Sequence, residues 1–424
     1  MRIFCLLSLF LTFAACRSDS QWAGQAPVRK VQTKTLPVQH QHKGTFTPAN
    51  GVYASNNFPG ARLNGIVQRN DTLLALITAE NTPVNPSPWY AFQLWAETPQ
   101  TINLKLTYPP EEYHRYYPKI STDGLNWAPV DSSAYRETLE TLPGETSEQR
   151  PQSVTLTLAI GPDTLWVAAQ ELMASPQVKR WASELDSLHP FISQSVVGQS
   201  REGANLNMLT VGNPEAEKMI LLISRQHPPE VTGYLALQPF VETLCGDTEQ
   251  ARQFREEYVT YVVPLMNPDG VDRGHWRHNY GGIDLNRDWE DFNQPETSAI
   301  RNFLEQQIET EGKTLYLGMD FHSTYEDIYY TFTKNPDREI TRPGLVMDMI
   351  EQSAEPFPDY EPNISPRDES ESRVTSAAYF VDTYGAESLV FEIGDNTPRP
   401  FVQEKARATA ETLMQLLLED VTEN

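Results

Sequence analysis

MILLISRQHPPE, residues 219–230, decides the fold, because an unbroken apolar run is followed three residues later by a His-x-x-Glu pair. Such a run is typical of a strand that is buried on both faces of a sheet. Three similar runs follow, at 258–264, 314–320 and 387–392. Helix-like stretches lie between and after them, near 232–245, 249–257, 295–311 and 402–419. The alternation predicts an α/β domain over 190–424, with a mixed, mostly parallel sheet and helices on both faces.

Side chains suited to metal chemistry follow three of the four apolar runs. The first run leads to His227 and Glu230, the third leads to His322, and the fourth ends at Glu392. The carboxyl ends of parallel strands meet at one edge of a sheet, where ligands bind in open α/β folds. Two histidines and a carboxylate form a zinc set that leaves a fourth position for water. A His-x-x-Glu pair is common by chance, so a solvated loop is the alternative for the first pair.

The second apolar run leads into LMNPDGVDRGHWRHNYGGIDLNRDW, residues 265–289. This stretch resembles the zinc carboxypeptidase family, in particular its bacterial and cytosolic-carboxypeptidase-like branch. HPPE resembles the family's His-x-x-Glu zinc motif, DFHS resembles the segment of the third ligand, and VFEIGD resembles the strand of the catalytic glutamate. SREGANLNMLTVG resembles the family's first strand region. The motifs occur in family order and cover most of 190–395.

The resemblance implies a metal-centred site. One Zn²⁺ per chain would be coordinated by His227, Glu230 and His322. Asp284 would accept a hydrogen bond from the far nitrogen of His227, which fixes the tautomer of that imidazole. Glu392 would be the general base, taking a proton from water and delivering it to the leaving amine.

The resemblance also implies how the substrate is held. Arg277 would stabilise the tetrahedral oxyanion. Asn286 and Arg287 would bind the terminal carboxylate of a peptide, a task that suits a planar guanidinium. An internal peptide bond has no such carboxylate, so the clamp implies an exopeptidase. The alternative is that the two arginines merely pair with the abundant surface acids.

Two further substrate contacts are less well defined by the sequence. The family carries a tyrosine on a mobile loop before the catalytic glutamate, and here Tyr379 is favoured over Tyr384, with aromatic packing as the alternative for both. Arg373 resembles the arginine that receives an acidic substrate side chain, although it can equally pair with neighbouring acids. If Arg373 faces the pocket, the preferred terminal residue is Glu or Asp. The segment 355–372, rich in proline and acid, is predicted to be an exposed loop.

The N-terminal sequence predicts export and a lipid anchor. MRIFCLLSLFLTFAA, residues 1–15, is too short to span a bilayer and is typical of a signal peptide. Its end resembles a bacterial lipobox, so Cys16 is predicted to be lipidated, with a plain secretory signal as the alternative. The polar segment 16–50 would be a tether. These features place the protein in the bacterial cell envelope, with the outer membrane favoured because Arg17 follows the cysteine.

Alternating apolar and polar residues predict a second, β-rich domain before the α/β domain. The clearest runs are at 73–80, 90–97, 102–108 and 153–160. They indicate an antiparallel β-sandwich over 51–172, joined to the α/β domain by a linker helix over 173–189. The sandwich resembles the domain that precedes the catalytic domain in the same branch, with an expected role in packing and access. Cys245, in an apolar stretch, is predicted to be a core residue.

Composition and motifs together narrow the function. A formal net charge of -24 argues against nucleic acid as a partner. The expected partner is a peptide with a free C-terminal carboxylate, bound by a monomer that meets the membrane only through its lipid. Alternatives that keep the metal site are a cell-wall stem-peptide carboxypeptidase and an amide deacylase, although a deacylase does not need the carboxylate clamp. A non-catalytic surface lipoprotein that binds peptides or glycans is the third possibility, and metal analysis would separate it from the enzymes.

Overall fold

The computed structural model describes residues 22–26, 28–82, 84–85, 87–141, 149–332, 339–367 and 374–423. The predicted signal peptide, Cys16 and Arg373 lie outside the described residues.

The β-domain consists of two sheets that face each other. The strands of the first sheet, in the order β1-β2-β5-β11-β7-β8, are β1 (Thr45–Ala49), β2 (Val52–Ser55), β5 (Ala91–Ala96), β11 (Leu165–Ala168), β7 (Lys119–Ser121) and β8 (Ala128–Pro129). Those of the second, in the order β3-β4-β6-β10-β9, are β3 (Gly65–Arg69), β4 (Thr72–Leu76), β6 (Gln100–Thr107), β10 (Gln149–Ile160) and β9 (Tyr135–Thr141). The pairing is antiparallel throughout these sheets except between β4 and β6, which run parallel.

The apolar alternation that predicted these strands forms the core of the β-domain. Leu104 of β6 lies opposite Leu156 of β10, and both side chains are buried between the sheets. The next inward positions on the same strands, Leu106 and Val154, form the neighbouring pair. Because successive side chains of a strand point to opposite faces, the polar residues between them face outward.

The α/β domain contains one eight-stranded sheet, in the order β12-β13-β15-β14-β16-β19-β17-β18. Its strands are β12 (Ile192–Gln199), β13 (Asn205–Val211), β14 (Lys218–Ser224), β15 (Tyr258–Val263), β16 (Thr314–Thr324), β17 (Ile328–Thr331), β18 (Ile364–Pro366) and β19 (Glu387–Gly394). The central strands β15, β14, β16 and β19 are parallel to one another. On one side, β13 pairs antiparallel with β15 and β12 pairs antiparallel with β13. On the other side, β17 pairs antiparallel with β19 and parallel with the edge strand β18. The prediction of a mixed, mostly parallel sheet after a β-sandwich is confirmed.

Helices cover both faces of this sheet. They are α1 (Ser175–Leu188), α2 (Val231–Leu244), α3 (Glu249–Glu257), α4 (Pro268–Arg273), α5 (Pro295–Glu305), α6 (Leu345–Ala354), α7 (Ser376–Tyr384) and α8 (Arg399–Glu423). Alternate residues of β14 serve the two faces: Leu222 packs with α2 and α8, whereas Leu221 packs with α5 and α7. Helix α2 continues through Pro239. Cys245 is buried on the α2 face, as predicted.

Two segments differ from their predicted character. The supposed tether lies against the folded body from Trp22 onward: Gln294 donates to the carbonyl of Thr33 at 2.7 Å, and Leu36 donates to that of Gly281 at 2.8 Å. The polar composition of this segment had suggested that it is solvated. Composition could not show the contacts above, because it does not reveal which groups a backbone binds. The predicted exposed loop 355–372 supplies the edge strand β18, which pairs with β17.

Within the described part of the chain, none of the helices combines the length and apolar character needed to cross a bilayer.

Candidate active site

The three predicted metal ligands meet at the carboxyl ends of β14 and β16. The Nδ1 atom of His227 lies 2.8 Å from one carboxylate oxygen of Glu230, and the Nδ1 atom of His322 lies 2.6 Å from the other. The ligand atoms of the three residues all lie within 4.8 Å of one another, and the side chains are buried. Two imidazoles and one carboxylate in this arrangement fit a zinc ion with an open coordination position.

The segment that carries His227 and Glu230 is held by a buried arginine at its start. Arg225 adopts a left-handed backbone conformation, with φ of 57°, which costs about 1–3 kcal/mol for a residue other than glycine. Its guanidinium donates to the carbonyls of Met173 at 2.9 Å and Pro228 at 2.7 Å, which fixes the turn. Burial lowers the pKa of Arg225 to about 10, so the guanidinium stays charged at neutral pH.

Each ligand histidine has a carboxylate at its far nitrogen. The Nε2 atom of His227 lies 2.8 Å from Asp284, as the family resemblance implied. The Nε2 atom of His322 lies 2.8 Å from Asp320, a contact that the sequence reasoning missed. The signal was present, since Asp320 and His322 are two residues apart on one strand and therefore share a face. Both contacts orient the imidazoles so that Nδ1 points toward Glu230.

Asp320 is itself fixed by the surrounding structure. It accepts hydrogen bonds from the side-chain amide of Gln226 and the hydroxyl of Ser376. The carbonyl oxygen of the Gln226 side chain in turn accepts from the indole of Trp289 at 2.9 Å. The chain of contacts leaves the His322 ring with a single favoured orientation.

The electrostatics of the cluster favour a cation. Burial opposes ionisation of Glu230, yet the imidazoles of His227 and His322 hold the pKa of this carboxyl well below its usual range. Burial likewise opposes charge on His322, but Asp320 and Glu230 raise the pKa of this imidazole well above its usual value. Three carboxylates around two imidazoles thus stabilise positive charge, which a divalent ion would supply.

Glu392 occupies the position expected of a general base. It lies on β19 directly opposite His322 of β16 in the strand register. Burial, followed by repulsion from Glu230, raises the pKa of Glu392 to about 8. Among the described residues, the Oε2 atom of Glu392 has no hydrogen-bond partner. A buried carboxylate oxygen beside the metal ligands is suited to accept a proton from water.

Arg277 extends into the metal cluster from the segment after α4, residues 274–279, which we call the arginine loop. Its Nε and Nη2 atoms each lie 2.8 Å from Asp284, and its Nη1 atom lies 3.7 Å from Glu230. The guanidinium therefore pairs with a buried carboxylate at the site and not with surface acids.

The metal cluster lines one wall of a cleft of about 580 Å³. Asn286 and Arg287, the predicted carboxylate clamp, line the same cleft. The backbone amide of Ser376 donates to Asn286 at 2.9 Å, and Arg287 donates to the carbonyl of Asn286 at 2.7 Å. The clamp and the metal ligands therefore face one shared space.

Comparison with known proteins agrees with this geometry. Residues 178–385 match the family model for zinc carboxypeptidases. The chain contains a zinc carboxypeptidase domain. Glu392 lies beyond the matched residues, so its role depends on the geometry described above.

Curated relatives of the zinc carboxypeptidase domain include cytosolic carboxypeptidases. Cytosolic carboxypeptidase 6 of Caenorhabditis elegans is 29% identical over 156 residues, which are 35% of this chain and 34% of that protein. The protein of the same name in Mus musculus is 28% identical over 195 residues, 42% of this chain and 36% of the relative. The chain thus spans about a third of the length of these two relatives.

Solved structures share the fold of both domains. A metallo-carboxypeptidase from Burkholderia cenocepacia has a TM-score of 0.69 at 19% identity, covering 88% of this chain and 100% of that one. A metallo-carboxypeptidase from Pseudomonas aeruginosa, in complex with (2-guanidinoethylmercapto)succinic acid, has a TM-score of 0.66 at 18% identity, covering 86% of this chain and 99% of that one.

The tyrosine predicted to cover the substrate is a core residue of the zinc carboxypeptidase domain. Tyr379 packs against Trp289 and Phe292, and its hydroxyl lies 3.0 Å from that of Tyr384. It belongs to helix α7, which turns this side chain toward the α5 face and away from the cleft. Among the described residues, Tyr330 of β17 lines this part of the cleft. The positions of the tyrosines in the sequence did not show which of them faces the core and which faces the cleft.

Arg367 is a cleft residue of the zinc carboxypeptidase domain that the sequence reasoning missed. Its guanidinium stacks over the ring of Tyr330 at 4.0 Å from the centroid and donates to the carbonyl of Gln25 at 3.2 Å. It lines the cleft together with Arg277 and Arg287, beside the carboxylates of Glu230 and Glu392. Arg373, which was predicted for this role, is outside the described residues.

The cleft continues toward the β-domain as a cavity of about 1020 Å³. Arg115 of the β-domain lines it and forms a buried ion pair with Asp395 at 2.7 Å, just after the strand of Glu392. Gln25 and Val28 of the N-terminal segment line both parts of the cleft. These contributions come from residues far away in the chain, and no local pattern in the sequence indicated them.

Proposed function

We propose that this protein is a zinc-dependent carboxypeptidase that removes the C-terminal residue of a peptide. The observation that carries the proposal is the Oε2 atom of Glu392, which has no hydrogen-bond partner in the described part of the chain. It lies beside the His227, Glu230 and His322 cluster, in a cleft that Asn286 and Arg287 also line. The family of the catalytic domain supports the reaction class.

Each of these residues of the cleft has a separate role in the proposed reaction. His227, Glu230 and His322 would hold a zinc ion, which would supply Lewis-acid character and lower the pKa of bound water toward neutrality. Glu392 accepts a proton from the attacking water and delivers it to the amine nitrogen as the peptide C–N bond breaks. Arg277 donates hydrogen bonds to the oxyanion that develops on the carbonyl oxygen. Asn286 and Arg287 bind the terminal carboxylate, which sets the scissile bond one residue from the end.

We further propose a preference for acidic terminal residues. Arg277, Arg287 and Arg367 line the cleft, and two of them are assigned above to the oxyanion and the terminal carboxylate. Arg367 then provides the guanidinium that pairs with a substrate side chain. A strongly acidic protein surface does not prevent this, because the local field in the cleft is set by these arginines.

The test uses peptide pairs that differ only in a free or an amidated C-terminus. The wild-type protein is expected to contain about one zinc per chain and to cleave the free form. Glu392→Gln is expected to retain zinc and to lose about 10²- to 10⁴-fold in kcat. Equal cleavage of the amidated partner would show that the terminal carboxylate is not recognised, and the proposal would fail.

The same peptide series tests the terminal preference. Peptides ending in Glu or Asp are expected to be cleaved with a higher kcat/KM than those ending in Leu or Lys. Arg367→Gln should remove this difference while cleavage of the Leu peptide remains. An equal loss on every peptide would assign Arg367 a general role and refute the preference.

We also propose that the protein is a monomer held in the cell envelope by a lipid on Cys16. The lipobox-like sequence supports this. Cys16→Ala should move the protein from the detergent-phase membrane fraction to the aqueous fraction, whereas Cys245→Ala should not. Membrane retention of the first variant would contradict the anchor.

A further inference from the structure

The arginine loop is bound by one buried carboxylate from the other domain. Glu80 follows strand β4 of the β-domain, and its side chain is 0% exposed. One oxygen accepts from the backbone amide of Trp276 at 2.7 Å. The other accepts from the amides of Arg277 at 3.1 Å and His278 at 2.9 Å, and lies 2.8 Å from the His278 ring. Three consecutive amides thus converge on a single side chain.

Glu80 carries its charge in spite of this burial. Burial alone would raise the pKa of Glu80, but the hydrogen bond from His278 and the nearby His275 and Arg62 hold it well below its usual value. An ionised carboxylate without these donors would be very costly in the interior of a protein. Most of the donors belong to the arginine loop, so the carboxylate and the loop conformation stabilise each other.

The start of the arginine loop is also built on the β-domain. The indole of Trp276 belongs to the core of the β-sandwich, and its N–H donates to the carbonyl of Trp89 at 3.1 Å. Gly274 has φ of 66°, and a Cβ atom there would lie 2.5 Å from the carbonyl oxygen of Ala61. The loop therefore approaches the β-domain backbone closely just before the Glu80 contacts and at the first of them.

Both the backbone and the side chain of Arg277 are fixed by hydrogen bonds. Its backbone amide is held by Glu80, and its guanidinium is held by Asp284. Donors that stabilise an oxyanion are effective when they are preorganised. Building on the proposed carboxypeptidase reaction, we propose that Glu80 is the positioning residue for Arg277. The β-domain thereby contributes to catalysis, beyond the packing role expected from the sequence.

The first test is Glu80→Gln in the full-length zinc protein. Glutamine keeps the size of the side chain but turns an NH₂ group toward backbone N–H groups, so the loop must shift. We expect kcat to fall by about 10- to 100-fold, because a displacement of about 1 Å is enough for such a loss. Zinc content and the KM of the peptide should stay close to those of the wild type. Glu80→Asp keeps the charge and should recover part of the lost kcat.

A double-variant cycle distinguishes positioning from general destabilisation. If Glu80 acts through Arg277, Glu80→Gln should cause little further loss of kcat in an Arg277→Ala background. The same fold loss in both backgrounds would overturn the proposal. So would an unchanged kcat, or a loss that follows the zinc content.

Hydrogen exchange gives a readout that does not depend on activity. Amide exchange of peptides covering 274–279 should accelerate in Glu80→Gln and accelerate less in Glu80→Asp. If the glutamine variant folds poorly, the aspartate variant still provides the measurement. Glu171→Gln is the matched control, since it removes the interdomain contact with Arg399 at 2.8 Å and should change neither kcat nor this exchange. A wild-type protein that cleaves no peptide would refute the proposed function, whereas unchanged exchange in both Glu80 variants would refute the positioning role of Glu80.

Discussion

The segment with His227 and Glu230 and the arginine loop face the same cleft, but they are held in different ways. The first is fixed chiefly by the guanidinium of Arg225 and the strand end of β14, although Val231, directly after Glu230, also packs in the β-sandwich core. The second is fixed by the other domain, through Glu80 and the core position of Trp276. In the proposed mechanism, metal binding and oxyanion stabilisation therefore depend largely on different contacts.

Because of this difference, we expect that a substitution can weaken metal binding without displacing the arginine loop, and the reverse. A change that loosens the arginine loop should leave the metal ligands in place, because these ligands depend on β14, β16 and their carboxylate partners. A change at those partners should release zinc and leave the loop on the β-domain. Asp284 is the exception, since it contacts both His227 and Arg277.

The largest effect is expected at Arg277. Arg277→Ala removes a preorganised donor and should lower kcat by about 10²- to 10³-fold, with zinc content unchanged. Steady-state kinetics with metal analysis measure both. Arg273→Ala is the matched control, because Arg273 pairs with Glu202 at the exposed surface just before the loop. A loss of zinc from the Arg277 variant would mean that the two regions are not separable.

A smaller effect is expected at Asp320, on the metal side of the comparison. Asp320→Asn removes the charge that orients the His322 ring and should weaken zinc affinity by about 10- to 100-fold. Competition with a chelator at fixed pH measures this affinity. At saturating zinc, kcat should be largely restored, since Arg277 and Glu392 are untouched. Zinc retention equal to that of the wild type would contradict the role of Asp320.

The smallest effect is expected at Gly274. Gly274→Ala combines the left-handed strain of about 1–2 kcal/mol with an overlap against Ala61. Gly203→Ala has the same kind of strain, with φ of 92°, but a Cβ atom there meets nothing within 4 Å among the described residues. Thermal unfolding should show a larger loss of stability for the first variant, with a smaller decrease in kcat than for Arg277→Ala. Equal stability of the two variants would argue against close docking of the loop.

The sequence predicted the parts of the site that follow local order along the chain. Apolar runs placed the strands, and the residues directly after them supplied the metal cluster, because parallel strands end at one edge. Asp320 was predictable from the alternation of strand faces but was overlooked. Arg367, Arg115 and Gln25 were not predictable, because their place in the cleft depends on how separate segments pack. Tyr379 was misjudged because an aromatic residue on a helix can face either side.

The burial of Trp276 in the β-sandwich also shows that the two domains are not independent units. A boundary near residue 173 separates the two domains along the chain, but in space the α/β half inserts an indole into the core of its neighbour. A fragment that starts at the linker helix would expose this ring and lose the acceptor of three amides. The smallest fragment that we expect to keep the arrangement of the cleft therefore includes both the β-domain and the α/β domain.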